Sequence, residues 1–172
     1  MGIVTERVER MNIKVASPDG SVRATLAFRG LSVRIKPGTA ELHNERSLTV
    51  QVEAVLASAF TGYERAVEMI RSEVAGGRRP PNLEDLPEEH PRRRLDAEAS
   101  RLTVTAYSAE DYVSLTWRGK KDFTVELRPG TVRRLTEGEL AEELNSALAD
   151  AARQRAVRLR EIHRRLSGAT RG

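Results

Sequence analysis

Ile35-Lys36-Pro37-Gly38-Thr39 and Leu127-Arg128-Pro129-Gly130-Thr131 carry the same apolar-basic-Pro-Gly-Thr pattern, 92 positions apart. That offset continues without a gap on the C-terminal side: Glu45 matches Glu137, Leu48 matches Leu140, Leu56 matches Leu148, Ala59 matches Ala151 and Ile70 matches Ile162. On the N-terminal side the match is read at an offset of 89, pairing Phe28-Arg29-Gly30 with Trp117-Arg118-Gly119, Leu26 with Leu115, and Ile13 and Val15 with Leu102 and Val104. The three additional residues then fall in Gly119-Lys120-Lys121-Asp122, at a turn, where insertions are best tolerated. An internal repeat is the first thing to seek in a chain, because missing it misassigns the whole architecture. Here it predicts two tandem copies of one small unit.

Each copy reads as three strands and a helix. Residues 12–17, 21–29 and 31–36 alternate apolar and polar, the pattern of half-buried strands. Their apolar sets are Ile13/Val15, Val22/Ala24/Leu26/Phe28 and Leu31/Val33/Ile35; in the second copy they are Leu102/Val104, Val113/Leu115/Trp117 and Phe123/Val125/Leu127. Ser17-Pro18-Asp19-Gly20 is a turn sequence, and Pro37-Gly38 and Pro129-Gly130 end the third strands because proline cannot donate to a ladder. Thr136-Glu137-Gly138-Glu139 has the form of a capping box, and Asn44 stands at the matching cap position. Leu144, Leu148, Ala151, Leu159, Ile162 and Leu166 then share one helical stripe. A helix from Thr136 to Leu166 spans about 45 Å, whereas a six-residue strand covers about 20 Å, so part of it should project beyond its sheet. Residues 76–94 hold Gly76-Gly77, Pro80-Pro81, Pro87 and Pro91 among charges and read as a linker, with a short helix near residues 92–100. The expected fold is α+β: two tandem βββα units, 1–75 and 95–172, each a three-stranded antiparallel sheet plus one long helix, packed on each other as an intramolecular pseudo-dimer.

The order of turn, strand ending in an apolar-x-apolar-x-Pro run, and capped helix resembles the YbaB/EbfC family of small bacterial nucleoid-associated proteins. In the first copy the resemblance rests on Ser17-Pro18-Asp19-Gly20-Ser21-Val22, Val33-Arg34-Ile35-Lys36-Pro37 and residues 48–59. In the second it rests on Val125-Glu126-Leu127-Arg128-Pro129, Arg133-Arg134-Leu135-Thr136-Glu137 and residues 140–152. The resemblance implies a βββα core, usually preceded by a helix and assembled as a dimer with protruding helices, and DNA binding with little sequence preference. Residues 1–10 are too short to supply a long leading helix, and fusion of two units in one chain departs from the family's pattern.

Composition fits a non-enzymatic cytoplasmic protein. The chain has no cysteine, hence no thiolate metal site or cysteine nucleophile. It carries no apolar run of membrane-spanning length, no export signal, and no phosphate loop or nucleophile elbow. His43, His90 and His163 are not spaced as zinc ligands. No cofactor, metal or membrane partner is expected.

Charge points to the binding surface. Residues 151–172 hold seven arginines against Glu161, whereas residues 95–150 sum to −4. Arg153, Arg160 and Arg164 fall opposite the apolar stripe, with Arg158 and Arg165 on a flank. Arginine binds an oxyanion bidentately and releases condensed counterions, so such a ridge suits DNA phosphates; a solvated helix face complementing the C-terminal dipole would look the same. Lys14, Arg23, Arg29, Arg34 and Lys36 fall on the outward face of the first sheet with no acid between them, against a mixed set (Tyr112, Arg118, Glu126 and Arg128) on the second. A one-signed face fits a polyanion, and it equally fits protection against sheet association. Arg78, Arg79, Arg92, Arg93 and Arg94 sit beside Glu84, Asp85, Glu88 and Glu89 and read as solvated linker charge. Trp117 and Phe28 are placed at one repeat position on the apolar face. The partners expected are therefore duplex DNA or, in the competing reading, another protein held by an adaptor that binds no DNA; further pairing of two chains is left open.

Overall fold

The computed structural model describes residues 2–78 and 81–169; Arg79 and Pro80 of the expected linker lie outside them. The protein is α+β, with two separate three-stranded antiparallel sheets. The first contains β1 (Asn12–Ala16), β2 (Val22–Ala27) and β3 (Gly30–Ile35); the second contains β4 (Thr103–Tyr107), β5 (Val113–Arg118) and β6 (Asp122–Leu127). Both are plain meanders, β1-β2-β3 and β4-β5-β6. A long helix follows each sheet: α2 (Glu45–Val74, 30 residues) and α5 (Glu137–Ala169, 33 residues). At 1.5 Å per residue α5 is roughly 50 Å long. Both helices start at the expected caps. Asn44 accepts the Ser47 amide at 2.8 Å, and Thr136 accepts the Glu139 amide at 3.2 Å while Glu139 accepts back from the Thr136 amide.

A short helix also precedes each sheet, α1 (Ile3–Glu9) before the first and α3 (Pro91–Arg101) before the second. Residues 1–10, too short for a long leading helix, supply a seven-residue one. It lies against α2, held by an Arg7–Glu73 ion pair at 2.7 Å, as α3 lies against α5. Pro91 occupies the first turn of α3, where its missing N–H is no loss. A four-residue turn of helix, α4 (Thr131–Arg134), completes the connection from β6 to α5.

The strand registers revise the alignment of the two halves. Asn12 pairs with Ala27 and Thr103 with Arg118, so the N-terminal parts correspond at an offset of 91, not 89. In both turns between the first two strands a serine hydroxyl, Ser17 or Ser108, accepts the amide of the first β2 or β5 residue at 3.0 Å. The turn after β5 is longer than its counterpart by one residue, not three. Gly119 takes φ +60° there, with the Ser100 carbonyl 3.1 Å from where a Cβ would stand. Trp117 therefore corresponds to Leu26, and the expected equivalence of Phe28 and Trp117 does not hold. Phe28 lies in the hairpin turn, 70% exposed, whereas Trp117 is 7% exposed.

Buried side chains of both halves form one continuous core. Each long helix covers its own sheet and also reaches the third strand of the other: α2 lies on β1, β2 and β6, and α5 on β4, β5 and β3. Two reciprocal sets of hydrogen bonds repeat this exchange. Glu53 of α2 accepts the Val125 amide of β6 at 2.9 Å; Asn145 of α5 accepts the Val33 amide of β3 at 2.8 Å and donates to the Val33 carbonyl at 3.0 Å. Likewise Glu45 accepts from the Val132 amide and Glu137 from the Ala40 amide, at 3.3 and 3.2 Å. The inner edges of β3 and β6, which would otherwise present unpaired backbone groups, are occupied by the opposite helix. One feature breaks the reciprocity. Phe60 of α2 packs against Trp117 and Phe123, with ring centroids 5.0 and 5.6 Å away, and Arg155 lies over Trp117 at 4.6 Å.

Candidate nucleic-acid interface

The apolar stripe of α5 divides into two parts. Leu140, Leu144, Leu148 and Ala151 are fully enclosed, while Leu159, Ile162 and Leu166 are half-buried. Gln154 lies over β4, its amide donating to the Thr105 carbonyl at 3.1 Å. Beyond Arg158 the helix runs past the sheet and is accompanied by α3, with Arg165 paired to Glu98 at 3.2 Å. At 100° per residue Arg153, Arg160 and Arg164 fall within a narrow arc opposite that stripe, and all three are exposed. They span roughly 16 Å along the axis at 1.5 Å per residue. Arg158 and Arg165, also exposed, lie on the flank facing α3.

Their ion pairing is uneven. Arg153 has Asp150 at 3.2 Å on the preceding turn, and Arg165 has Glu98. Both are exposed pairs of the kind worth about 0.2–1 kcal/mol, too weak to withhold an arginine from a phosphate. Among the described residues no carboxylate pairs with Arg158, Arg160 or Arg164. Of the two acids, Asp150 is legible by helical spacing, three residues before Arg153, whereas Glu98 comes from another helix.

On the first sheet Lys14, Arg23, Arg34 and Lys36 all point outward and are exposed, alternating with the buried Val22, Ala24, Val33 and Ile35. Register places Arg23 directly opposite Arg34, and the outward positions around them are Asn12, Ala16, Thr25, Ala27 and Ser32. Arg29 stands apart from this face, in the β2–β3 turn beside Phe28. The second sheet differs. Arg118 faces Asp122 across the strands and donates to Thr124 at 2.8 Å, and Arg128 lies over the Tyr112 ring at 4.4 Å.

His43 is half-buried, its ring largely enclosed, where the β1–β2 turn meets α2. Its Nε2 lies 3.0 Å from Ser21 Oγ and 3.1 Å from Asp19 Oδ2, and its Nδ1 2.9 Å from Ser47 Oγ. Burial pushes the Asp19 carboxyl up, but hydrogen bonds from Ser21 and Ser17, with His43 beside it, hold it below its ordinary value. The serine in this group is enclosed: Ser21 is 3% exposed and donates to Asp19 at 2.6 Å, so the arrangement ties turn to helix. A cleft of about 760 Å³ opens where the segments after β3 and β6 meet, bordered by Glu45, Glu137 and Arg133. Glu45 is held below the ordinary glutamate value by its own backbone amide at the helix start and, against burial, by the Val132 and Gly130 amides and Arg133. Two buried polar atoms, Glu143 Oε2 and Arg155 Nε, have no hydrogen-bond partner among the described residues. Burial also lowers the Arg155 guanidinium from its ordinary value. No group of three or more described His, Asp or Glu side chains could hold a metal ion, and no described helix is long and apolar enough to cross a membrane.

Comparisons with protein-family models, curated proteins and solved structures give no match to this chain. What can be stated of its class is physical: an α+β protein of two interlocked sheet–helix units, with exposed arginines on one long helix and a basic face on one sheet.

Proposed function

We propose that the chain is a non-enzymatic, nucleoid-associated protein that binds duplex DNA with little sequence readout through phosphate contacts from α5. On this reading it is a tandem duplication of a YbaB/EbfC-like unit, working as an intramolecular pseudo-dimer in the cytoplasm. The observation that carries the proposal is the set Arg158, Arg160 and Arg164, exposed on the projecting part of α5 without carboxylate partners among the described residues. Arginines held by a rigid helix present fixed donors to an anionic backbone, contacts that position a duplex without reading its bases.

A salt series tests this. Neutralising phosphates makes log K fall with log salt at about −0.9 per contact, so four or five contacts give a slope near −4. Replacing Arg153, Arg160 and Arg164 together by Gln should flatten the slope by about two to three units on unrelated duplexes alike. Absence of binding by the wild-type chain at low salt would refute DNA binding and favour an adaptor, a reading supported by the −4 balance of residues 95–150.

A further inference from the structure

The two basic surfaces stand on different elements and in different halves of the chain. Each long helix packs on the inner face of its own sheet and on the third strand of the other. The Arg153, Arg160 and Arg164 ridge is opposite the stripe that meets the sheets, so it points away from the core. Lys14, Arg23, Arg34 and Lys36 lie on the outward face of the first sheet, away from the side that packs on α2.

Three features separate the sheet face from ordinary surface charge. It is one-signed, with only small neutral residues between its cations. Arg23 and Arg34 are directly opposed on neighbouring strands, an arrangement that destabilises a sheet, and no described carboxylate pairs with either. The corresponding second-sheet face instead places Thr105, Ser114 and Glu126 where the first has Lys14, Arg23 and Arg34. An anion seated between Arg23 and Arg34 removes their repulsion, which gives the face a use for charge that edge protection does not. Along β3 and onward, residues two apart lie about 7 Å from each other, so Arg34 and Lys36 form a short track for a polyanion backbone.

We propose that the outward face of the first sheet is a second phosphate-binding surface, and that one chain bridges two DNA duplexes, one on this face and one on α5. The inference rests on the DNA-binding reading above. The test uses a bead-tethered duplex, a free fluorescent duplex of unrelated sequence, and the full chain at low salt. Wild type should hold the free duplex on the beads. The triple variant Lys14→Thr, Arg23→Ser and Arg34→Glu carries residues that the second sheet already accommodates at the same positions, so it should keep the fold, as thermal unfolding will report. Its retention of the free duplex should fall about tenfold or more, because about three phosphate contacts are lost. The α5 triple variant should lose retention as well, and either variant should drop from about two short duplexes per chain to about one in a stoichiometric titration. Wild type that binds single duplexes yet retains no second one overturns bridging while leaving the α5 reading intact. Retention undiminished in the sheet variant overturns it too, since bridging would then come from chain–chain association. No binding of any duplex by wild type removes the functional reading itself, and this one with it.

Discussion

At the residue scale the informative side chains are those whose charge is fixed by what they touch. Asp19 joins the β1–β2 turn to the start of α2, accepting from Ser17 and Ser21 and lying 3.1 Å from His43. Glu45 joins the two halves, accepting the Val132 amide. Both have folded pKa values below their unfolded ones, so each contributes stability that is present above its unfolded pKa, about 4, and is lost as pH falls through the lower folded value. Unfolding free energy should therefore hold from neutral pH to about 5 and decline below about 4. The double variant Asp19→Asn and Glu45→Gln should be less stable at neutral pH and lose less on acidification. Urea midpoints across a pH series measure this; parallel wild-type and variant curves would show that these carboxylates do not set the acid limit. Position decided what sequence reading could say of these residues. Asp19 was legible as a turn former, but its His43 contact crosses 24 positions of chain and nothing in the local pattern encodes it.

At the element scale, strand alternation, turn residues and helix caps were enough to place the sheets and long helices, because each is a local rule. The alignment of the halves failed for a physical reason. An offset of 89 in place of 91 is a slip of two residues, one full pleat period, and it keeps every side chain on its expected face. Alternation cannot detect such an error, and matching Phe28 to Trp117 by aromatic character reinforced it. The serines at Ser17 and Ser108 carried the signal that could have corrected it. The α5 arginines were legible as a ridge by spacing alone, whereas the acid on α3 that occupies Arg165 required the tertiary contact. Asn145 and Glu53 are the other long-range element, polar residues beside an apolar stripe, each bonded to the edge strand of the opposite sheet. Asn145→Leu leaves the Val33 N–H and C=O without their partner in a partly buried place, and should cost about 1–3 kcal/mol. Glu53→Leu should cost a similar amount at the Val125 amide, and the two losses should roughly add because the sites share no partner. Denaturant unfolding with unchanged slope and lowered midpoint is the expected result; a wild-type midpoint for Asn145→Leu would mean the β3 edge is satisfied without it.

At the scale of the whole molecule, the exchange of helices makes each half structurally incomplete. Residues 2–78 by themselves would leave the inner side of β3, with Val33 and Ile35, without α5, and would expose Phe60 where Trp117 and Phe123 now cover it. Burying an aliphatic or aromatic side chain contributes about 1.5–3 kcal/mol, and a domain's net stability is only about 5–15 kcal/mol. Losing the cover over three or four such residues, with the Glu53 and Asn145 bonds, removes most of that margin. Within one chain the linker keeps the halves at high effective concentration, so the exchange forms without a concentration requirement. A fragment of residues 1–78 should therefore be unfolded when monomeric, or fold only by pairing with a second copy. Mixing it with residues 81–172 should restore cooperative unfolding and move the Trp117 emission to the blue as Phe60 and Arg155 close over the indole. Sedimentation and tryptophan fluorescence read both outcomes. A monomeric 1–78 fragment that melts as cooperatively and as high as the full chain would show that each half carries a sufficient core of its own, and that the helix exchange is not what holds the fold together.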